Sequence, residues 1–566
     1  MSNVFSVEKL GHHGLVASVI KELGIDKKID KRLPIVKEKG AIVPHGQRVA
    51  AMVLNGLGFV NQSLYLSPHF FEDKPVSLLL ENGIEAEHLN DDCLGRCLDK
   101  IAEYGTTKLF SEIMFEVVTE QGLFNKLLRT DTTNFNLYGA YDVEIEASSP
   151  MPAYGHSKNH RHDLKQVTLS LTQMGEANIP VWMEALDGNC SDKKSFQDTV
   201  RKITKFTDEM KEAKEGLFFV LDAEFYIPEK LAELNNVGWI TRVPATLKES
   251  KVLLNQSANE LQWETYNEDY RISVVNKTIA GLPQRWLLIE SKLGYAQQIK
   301  TFYRKTNTQY ETIDKKLWHL SNQTFNCEDD ATKALQAFSK TLKYYGVDYQ
   351  IKPVLKYVNK GRPKSGEEKQ CIGYRIEANL YFDLGKIAKE KVSLGRFILA
   401  TNELDKTKMT DADILREYKA QTHIEAGFRF IKDPMFEVDS FFLKTPSRIG
   451  ALMMIMTLCL VVYNYAQYKL RQSLKKQNDV VPNQLGKPVK NPTARWIFYL
   501  MATICVVSQE DSNGLKIRTV ANLKLLHKLI IIHYGEHAKK IYGIPPDFQI
   551  LDYDKNQKNL LEWCGM

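Results

Sequence analysis

Three carboxylates, far apart in the chain, sit in settings suited to phosphodiester chemistry. Asp131 lies in LLRTDTT, Asp222 closes the apolar run GLFFVLD, and Glu425 lies in EYKAQTHIEAGFRFIK. The first two runs, rich in Leu, Phe, Val and Thr, have the length and composition of buried strands. The third has helical spacing: Tyr418, Gln421, Glu425, Arg429 and Lys432 fall within an arc of about 60–80° at roughly 100° per residue. One helix face is expected to present a phenol, an amide, a carboxylate and two cations together. In-line cleavage of a phosphodiester needs charge neutralised on the attacking and leaving oxygens. Two Mg²⁺ ions about 3.5–4 Å apart do this, and carboxylate oxygens are the hard ligands they prefer. The expected assignment has Asp131 bridging both ions and Asp222 and Glu425 each completing one site, with Mn²⁺ able to substitute. Singly, each carboxylate is weak evidence, because an aspartate at a strand end is commonly a turn former or cap. Glu224, two residues past Asp222, is an alternative ligand.

The elements that would hold these residues follow in order. After the Asp131 strand, QVTLSLTQ and IPVWMEAL read as a hairpin joined by MGEAN. Ser191 is placed to cap a helix through SFQDTVRKITKF,. The Asp222 strand comes next, then a helix in PEKLAELNN and a strand in GWITRVP. That β-β-β-α-β-α-β order is the order of an RNase H-like core, placed at residues 106–245; the fold class by itself establishes no chemistry. Over 246–394, alternating runs such as RISVVNKT, RWLLIESK and YRIEANLYF, with one helical piece in DDATKALQAFSKTLKYYG, predict a mostly β insertion,. The core resumes over 395–475 with VSLGRFILATN and the glutamate helix. Residues 1–105 read as short helices with glycine-containing turns, Asn90 capping DDCLGRCLDKIAEYG. A helix-turn-helix-like DNA-binding module has this pattern, and so does a helical cap with no DNA role. Residues 476–566 are the expected helical C-terminal domain: after about 472 the run SLKKQNDVVPNQLGKPVKNP reads as a basic linker, and two apolar helical segments follow it, TARWIFYLMATICVV and RTVANLKLLHKLIIIHYG. The expected class is therefore α/β: an RNase H-like core interrupted by a mostly β insertion, with helical N-terminal and C-terminal domains.

Tyr418-x2-Gln421-x3-Glu425-x6-Lys432 resembles the Tyr-x2-Arg-x3-Glu-x6-Lys signature of bacterial insertion-sequence DDE transposases of the IS-four superfamily. YGHSKNHRHDLKQ, LNDDCLGRCLDKI, GNCSDKKSF, GRFILATNEL and FFLKTPSRIGALMMIM resemble recurring segments of the long branch of that group. The resemblance covers nearly the whole chain, and order and spacing agree as well as words. It implies an enzyme that binds the terminal inverted repeats of its element, cuts the ends with Mg²⁺, and joins the 3′-hydroxyls to target DNA. It also implies a homodimer in the synaptic complex. Two departures stand out: Gln421 replaces the usual Arg, and Glu224 stands where a small residue is usual. Gln421 keeps open a second reading, a remnant that binds the ends without cutting. A structure-selective nuclease on the same fold is a third.

Candidate DNA contacts surround this pattern. Tyr418 and Lys432 suit phosphates beside the carboxylates, and Arg429, two turns along, suits the charge missing at Gln421. His156, Lys158 and Arg161 make a basic loop. The cluster of His156, His160 and His162 lacks the Cys or acidic partner of a familiar zinc spacing,. Arg362, in Gly361-Arg362-Pro363, resembles a minor-groove hook within the basic and aromatic stretch KYYGVDYQIKPVLKYVNKGRPK, although a solvated hairpin loop accounts for that stretch nearly as well,.

Bulk numbers exclude rather than identify. With 566 residues and 43% apolar composition the chain should hold several globular domains, and a net charge of +6 would not by itself suggest nucleic acid,. Eight cysteines without paired CxxC knuckles, and an N-terminus without a basic-then-apolar leader, predict a reduced, cytoplasmic protein, and the resemblance implies that it is nucleoid-associated,. Cys93 and Cys97 share a helix face and are expected to pack rather than bind metal. IGALMMIMTLCLVVY is shorter than the roughly 20 residues that span a bilayer and reads as a buried helix,.

Overall fold

The computed structural model describes residues 5–35, 42–59, 66–138, 141, 149–155, 161–190, 192–210, 216–232, 234, 237–357, 366, 368–433, 445–510 and 516–548. Ser191, His156, Lys158 and Arg362 lie outside them. The chain divides into two compact units. The first comprises 1–225, 234–239 and 417–566, and the second comprises 226–233 and 240–416.

The first unit opens with a strand, β1 (Phe5–Lys9), and a set of helices: α1 (His13–Leu23), α2 (Ile25–Arg32), α3 (His45–Gly56), α4 (Asp91–Tyr104) and α5 (Thr106–Glu120). Their ends follow local chemistry. Gly24 stops α1 in the left-handed region at φ 61°, where its amide reaches back to the carbonyls of Ile20 and Lys21,. Asn90 caps α4 as expected, its side chain accepting the Cys93 amide at 2.9 Å,. Cys97 is buried, and burial pushes its thiol up to about 12, so packing is its role,.

A mixed sheet follows. Strand β2 (Leu127–Leu137) pairs antiparallel with β3 (Lys165–Met174), and β3 pairs antiparallel with β4 (Ile179–Leu186). The hairpin between them turns through Gly175 at φ 64° and Asn178 at φ 50°,. After helix α6 (Asp192–Met210), β5 (Phe218–Leu221) joins the other edge of β2 in parallel, and β6 (Gly238–Arg242) comes beside β5. Gly238 is small for a reason: a Cβ there would fall 2.3 Å from the ring of Phe218. The order β4-β3-β2-β5-β6 is that of an RNase H-like sheet.

The second unit carries a sheet in which β7 (Tyr270–Ile279), β8 (Leu282–Ser291) and β11 (Arg396–Thr401) are successive antiparallel neighbours. Between β8 and β11 run a 30-residue helix, α7 (Lys292–Ser321), a shorter helix, α8 (Glu328–Ser339), and a two-stranded ribbon of β9 (Tyr345–Lys356) with β10 (Gln370–Phe382). The sequence reading anticipated the strands and α8 but not α7. KLGYAQQIKTFYRKTNTQYETIDKKLWHLS is largely polar, and only Thr306 and Leu317 of its residues are fully buried. A helix with so thin an apolar stripe gives little periodicity to read.

The chain re-enters the first unit at Glu417, in the last turn of α9 (Asp411–Lys419), and continues through α10 (Thr422–Ile431) and the 32-residue α11 (Pro446–Gln477). Helix α11 contains the longest apolar run. It packs against β4, α1, α3, α4 and α5, and 83% of its most apolar window is buried. It also reaches past the point where the linker was expected to start. The C-terminal segment is less helical than its composition suggests. After α12 (Ala494–Leu500), the CVV of the first apolar segment is strand β12 (Cys505–Glu510). RTVA of the second is strand β13 (Lys516–Ala521), before α13 (Leu525–Tyr534). β12 pairs with β13 on one side and with β1 on the other, so a tertiary partner from the other end of the chain sets its conformation,.

Candidate catalytic site

Strand pairing places the two aspartates. β2 and β5 run parallel with Leu127 beside Phe218, Leu128 beside Phe219 and Arg129 beside Val220. Carried two residues further, the same register sets Asp131 beside Asp222, the first residue beyond β5. Neighbouring parallel strands lie about 4.8 Å apart, so the two carboxylates leave adjacent backbones on one face. Asp131 Oδ1 accepts the Thr132 amide at 2.7 Å, and Asp222 Oδ1 accepts the Ala223 amide at 2.6 Å. Asp131 is half-buried and Asp222 exposed.

Helix α10 lies over that same face. Arg129, Asp131, Thr133 and Phe135 alternate with the opposite side of β2, and α10 touches this row at two places. Gly427 packs on Gln173, the cross-strand partner of Arg129: a Cβ on Gly427 would stand 2.8 Å from Gln173 Nε2 and 3.1 Å from Leu460. At the other end Lys432 Nζ sits 5.3 Å over the Phe135 ring. Glu425, in the first turn of α10, is exposed. The three carboxylates thus share one side of the sheet.

The signature stripe is not carried by one helix. α9 ends at Lys419 and α10 begins at Thr422. Across the join the bonding shifts to i→i−3. Gln421 donates to the Tyr418 carbonyl at 3.1 Å, His423 to Ala420 at 3.0 Å and Ile424 to Gln421 at 3.1 Å,. The Thr422 hydroxyl donates back to the Lys419 carbonyl at 3.1 Å, a side-chain competitor that bends helices,. Tyr418 therefore belongs to α9, Gln421 is the N-cap residue of α10, and Lys432 is its C-cap. Arg429 is exposed in the last turn, while Tyr418, Gln421 and Lys432 are half-buried. Arg161, outside this helical pair, forms a bidentate exposed pair with Asp163 at 2.8 and 2.7 Å and holds that carboxyl down at about 2.

A buried tie that the sequence reading missed joins strand to helix. Arg129 Nη2 donates to Glu417 Oε2 at 2.5 Å, and its Nη1 donates to the Gly175 carbonyl at 2.9 Å. Both residues are under a tenth exposed, and Arg129 Nε is buried without a partner. An arginine inside an otherwise apolar and Thr-rich strand was a readable signal. Its partner, 288 residues away, was not.

The donor set suits a hard divalent cation, since all three side chains offer carboxylate oxygen and none offers thiol or imidazole. Among the described residues, no group of three or more His, Cys, Asp or Glu side chains is drawn together closely enough to hold a metal ion. The structure thus places the three on one face without converging them.

Comparison with known proteins adds the family. The N-terminal residues 5–115 match a domain of unknown function, DUF4277. No curated protein matches. Among solved structures, the piggyBac transposase synaptic complex with hairpin DNA aligns over 97% of this chain and 84% of that chain, at 8% identity and a TM-score of 0.36. The family described as transposase DDE domain matches residues 130–462, a span that opens one residue before Asp131 and takes in Asp222, Glu425 and Lys432. That span is more than half of the 566 residues, and the chain belongs to the DDE transposase family.

Proposed function

We propose that this chain binds the terminal inverted repeats of its own element, cuts the phosphodiester bonds at the element ends, and joins the freed 3′-hydroxyls to target DNA. The observation that carries the reading is the parallel register that sets Asp131 beside Asp222 on the face covered by the Glu425 helix. Asp131, Asp222 and Glu425 would hold the Mg²⁺ ions, or Mn²⁺ as a substitute, through their carboxylate oxygens. When bound there, the ions would supply the charge neutralisation that in-line phosphodiester cleavage needs. Lys432 and Tyr418 hold the phosphate backbone next to the carboxylates, by charge and by hydrogen bond respectively. Arg429 and Gln421 contact the same strand further along. The basic loop of His156, Lys158 and Arg161, and Arg362 of the second unit, add backbone contacts. Residues 1–105 read the repeat sequence, and two copies of the chain bring two ends together.

The test uses the purified full chain with a labelled duplex carrying the inverted repeats found beside its gene. The expected result is Mg²⁺-dependent cleavage at the repeat boundary, followed by joining to plasmid DNA when a target is supplied. Binding of the repeats without cleavage in either Mg²⁺ or Mn²⁺ would overturn the enzymatic reading in favour of an end-binding remnant. Equal binding to scrambled DNA would overturn end recognition.

A further inference from the structure

We infer that Arg129 and Glu417 are positioning residues for the metal-binding carboxylates, fixing the helical join that carries Glu425 against the strand that carries Asp131. The inference rests on the reading of the three carboxylates as metal ligands. Arg129 and Asp131 are two residues apart on the same face of β2, so whatever fixes the Arg129 guanidinium fixes the backbone from which Asp131 leaves,. The guanidinium is fixed from two sides, by the Gly175 carbonyl at the β3–β4 turn and by Glu417. Glu417 stands in the last turn of α9, one residue before Tyr418 and immediately before the i→i−3 join. Helix α10 has other anchors, at Gly427 and at Lys432 over Phe135, but both lie C-terminal to Glu425. On the N-terminal side the Arg129–Glu417 bond acts together with Ile424, fully buried one residue before Glu425. Together the anchors bracket Glu425, and the Arg129–Glu417 bond is the one that ties the helical join directly to the strand carrying Asp131.

Two observations separate this from ordinary core packing. A buried ion pair adds little stability over well-packed apolar residues of the same volume. In addition, Arg129 Nε remains buried without a partner, which a purely stabilising arrangement would avoid,. The pair's distinctive property is direction. A charge-assisted bond holds the end of α9 at one distance from β2, where apolar contacts would allow sliding.

The experiment measures Mn²⁺ binding to the full chain by electron paramagnetic resonance, alongside cleavage of an end substrate at increasing Mg²⁺. Glu417→Gln and the double variant Arg129→Met/Glu417→Met are compared with wild type, the double variant being chosen because it keeps the volume and removes both charges. Groups that orient metal ligands typically change metal affinity by about 10–100-fold when removed. The expected result is Mn²⁺ affinity about tenfold weaker and half-maximal Mg²⁺ about tenfold higher in both variants, with end binding and the thermal midpoint of the double variant unchanged. Arg129→Lys, which keeps a cation without the planar fork, should recover part of the affinity. Wild-type metal affinity in the double variant would overturn the inference. Absence of Mn²⁺ binding in the wild type itself would instead overturn the underlying reading of the carboxylates.

Discussion

Two long antiparallel strand pairs, one in each unit, put their charges to opposite uses. In the β2–β3 pair of the first unit most side chains are buried, and the one arginine among them is bonded to a carboxylate and a carbonyl. In the β9–β10 ribbon of the second unit one face rests on a cluster that includes Leu317, Leu335, Tyr345, Ile376 and Leu380, while the other is open. There Lys352 and Arg375 stand directly opposite each other. Like charges in that position destabilise a ribbon; Glu377, paired with Lys352 at 2.5 Å, offsets it in part. The buried pair, its arginine tied to Glu417 and Gly175, holds the backbone that carries Asp131. An open pair with opposed cations suits an anionic surface brought from outside, which for a DNA transposase is the phosphate backbone.

The sharpest way to break the comparison is at the three carboxylates around the buried pair. Asp131→Asn, Asp222→Asn or Glu425→Gln should each reduce cleavage by on the order of 10³-fold or more, roughly 4 kcal/mol of barrier, with end binding within about twofold of wild type. Single-turnover cleavage read on gels decides it, and near-normal cleavage by Asp222→Asn would point to Glu224 as the ligand. Next in size is the helix seat. Gly427→Leu drives a side chain into Gln173 and Leu460. It should destabilise the chain by about 1–3 kcal/mol and slow cleavage by about 100-fold through displacement of Glu425. Denaturant midpoints and cleavage rates measured together would expose a rate loss without the stability loss, contrary to this account.

Smaller effects are expected where side chains meet DNA. Lys432→Ala should lower cleavage by about tenfold, the order of one charge-assisted contact, while Gln421→Arg should keep or raise it. The reverse pattern would mean that α10 does not grip DNA. Smallest is the open ribbon. Lys352→Ala with Arg375→Ala should weaken DNA binding only a few-fold and reduce the slope of log affinity against log salt by about 2, with the thermal midpoint held or slightly raised. An unchanged salt slope would leave the opposed cations without a phosphate partner.

Strand-borne features were legible in the sequence. The LLRTDTT and FFVLD runs, the MGEAN hairpin and the Asn90 cap all follow from periodicity and turn chemistry, and the structure has each of them. The glutamate stripe was legible as a pattern but not as two helices. Residue spacing carries rotation about an axis, and the Thr422 back-bond that interrupts the axis leaves no trace in it. Helix α7 escaped because a mostly solvated helix has little apolar stripe, and β12 because its partner lies near residue 5. Arg129–Glu417 and Gly427–Gln173 escaped for the same reason: each joins positions hundreds of residues apart.

The pairing of β1 with β12 also has a consequence in time. Phe5 lies against Gln509 and Lys9 against Cys505, so the first strand waits for a partner some 500 residues later in synthesis. At about 5–20 residues per second that wait is roughly 25 to 100 seconds. Glu425 likewise arrives long after the aspartates it joins. A ribosome-bound chain therefore carries both aspartates, and the helices packed beside them, well before the fold around them can close. Such long-range closure is intrinsically slow. For most of its synthesis the nascent protein lacks both the glutamate helix and the closing strand.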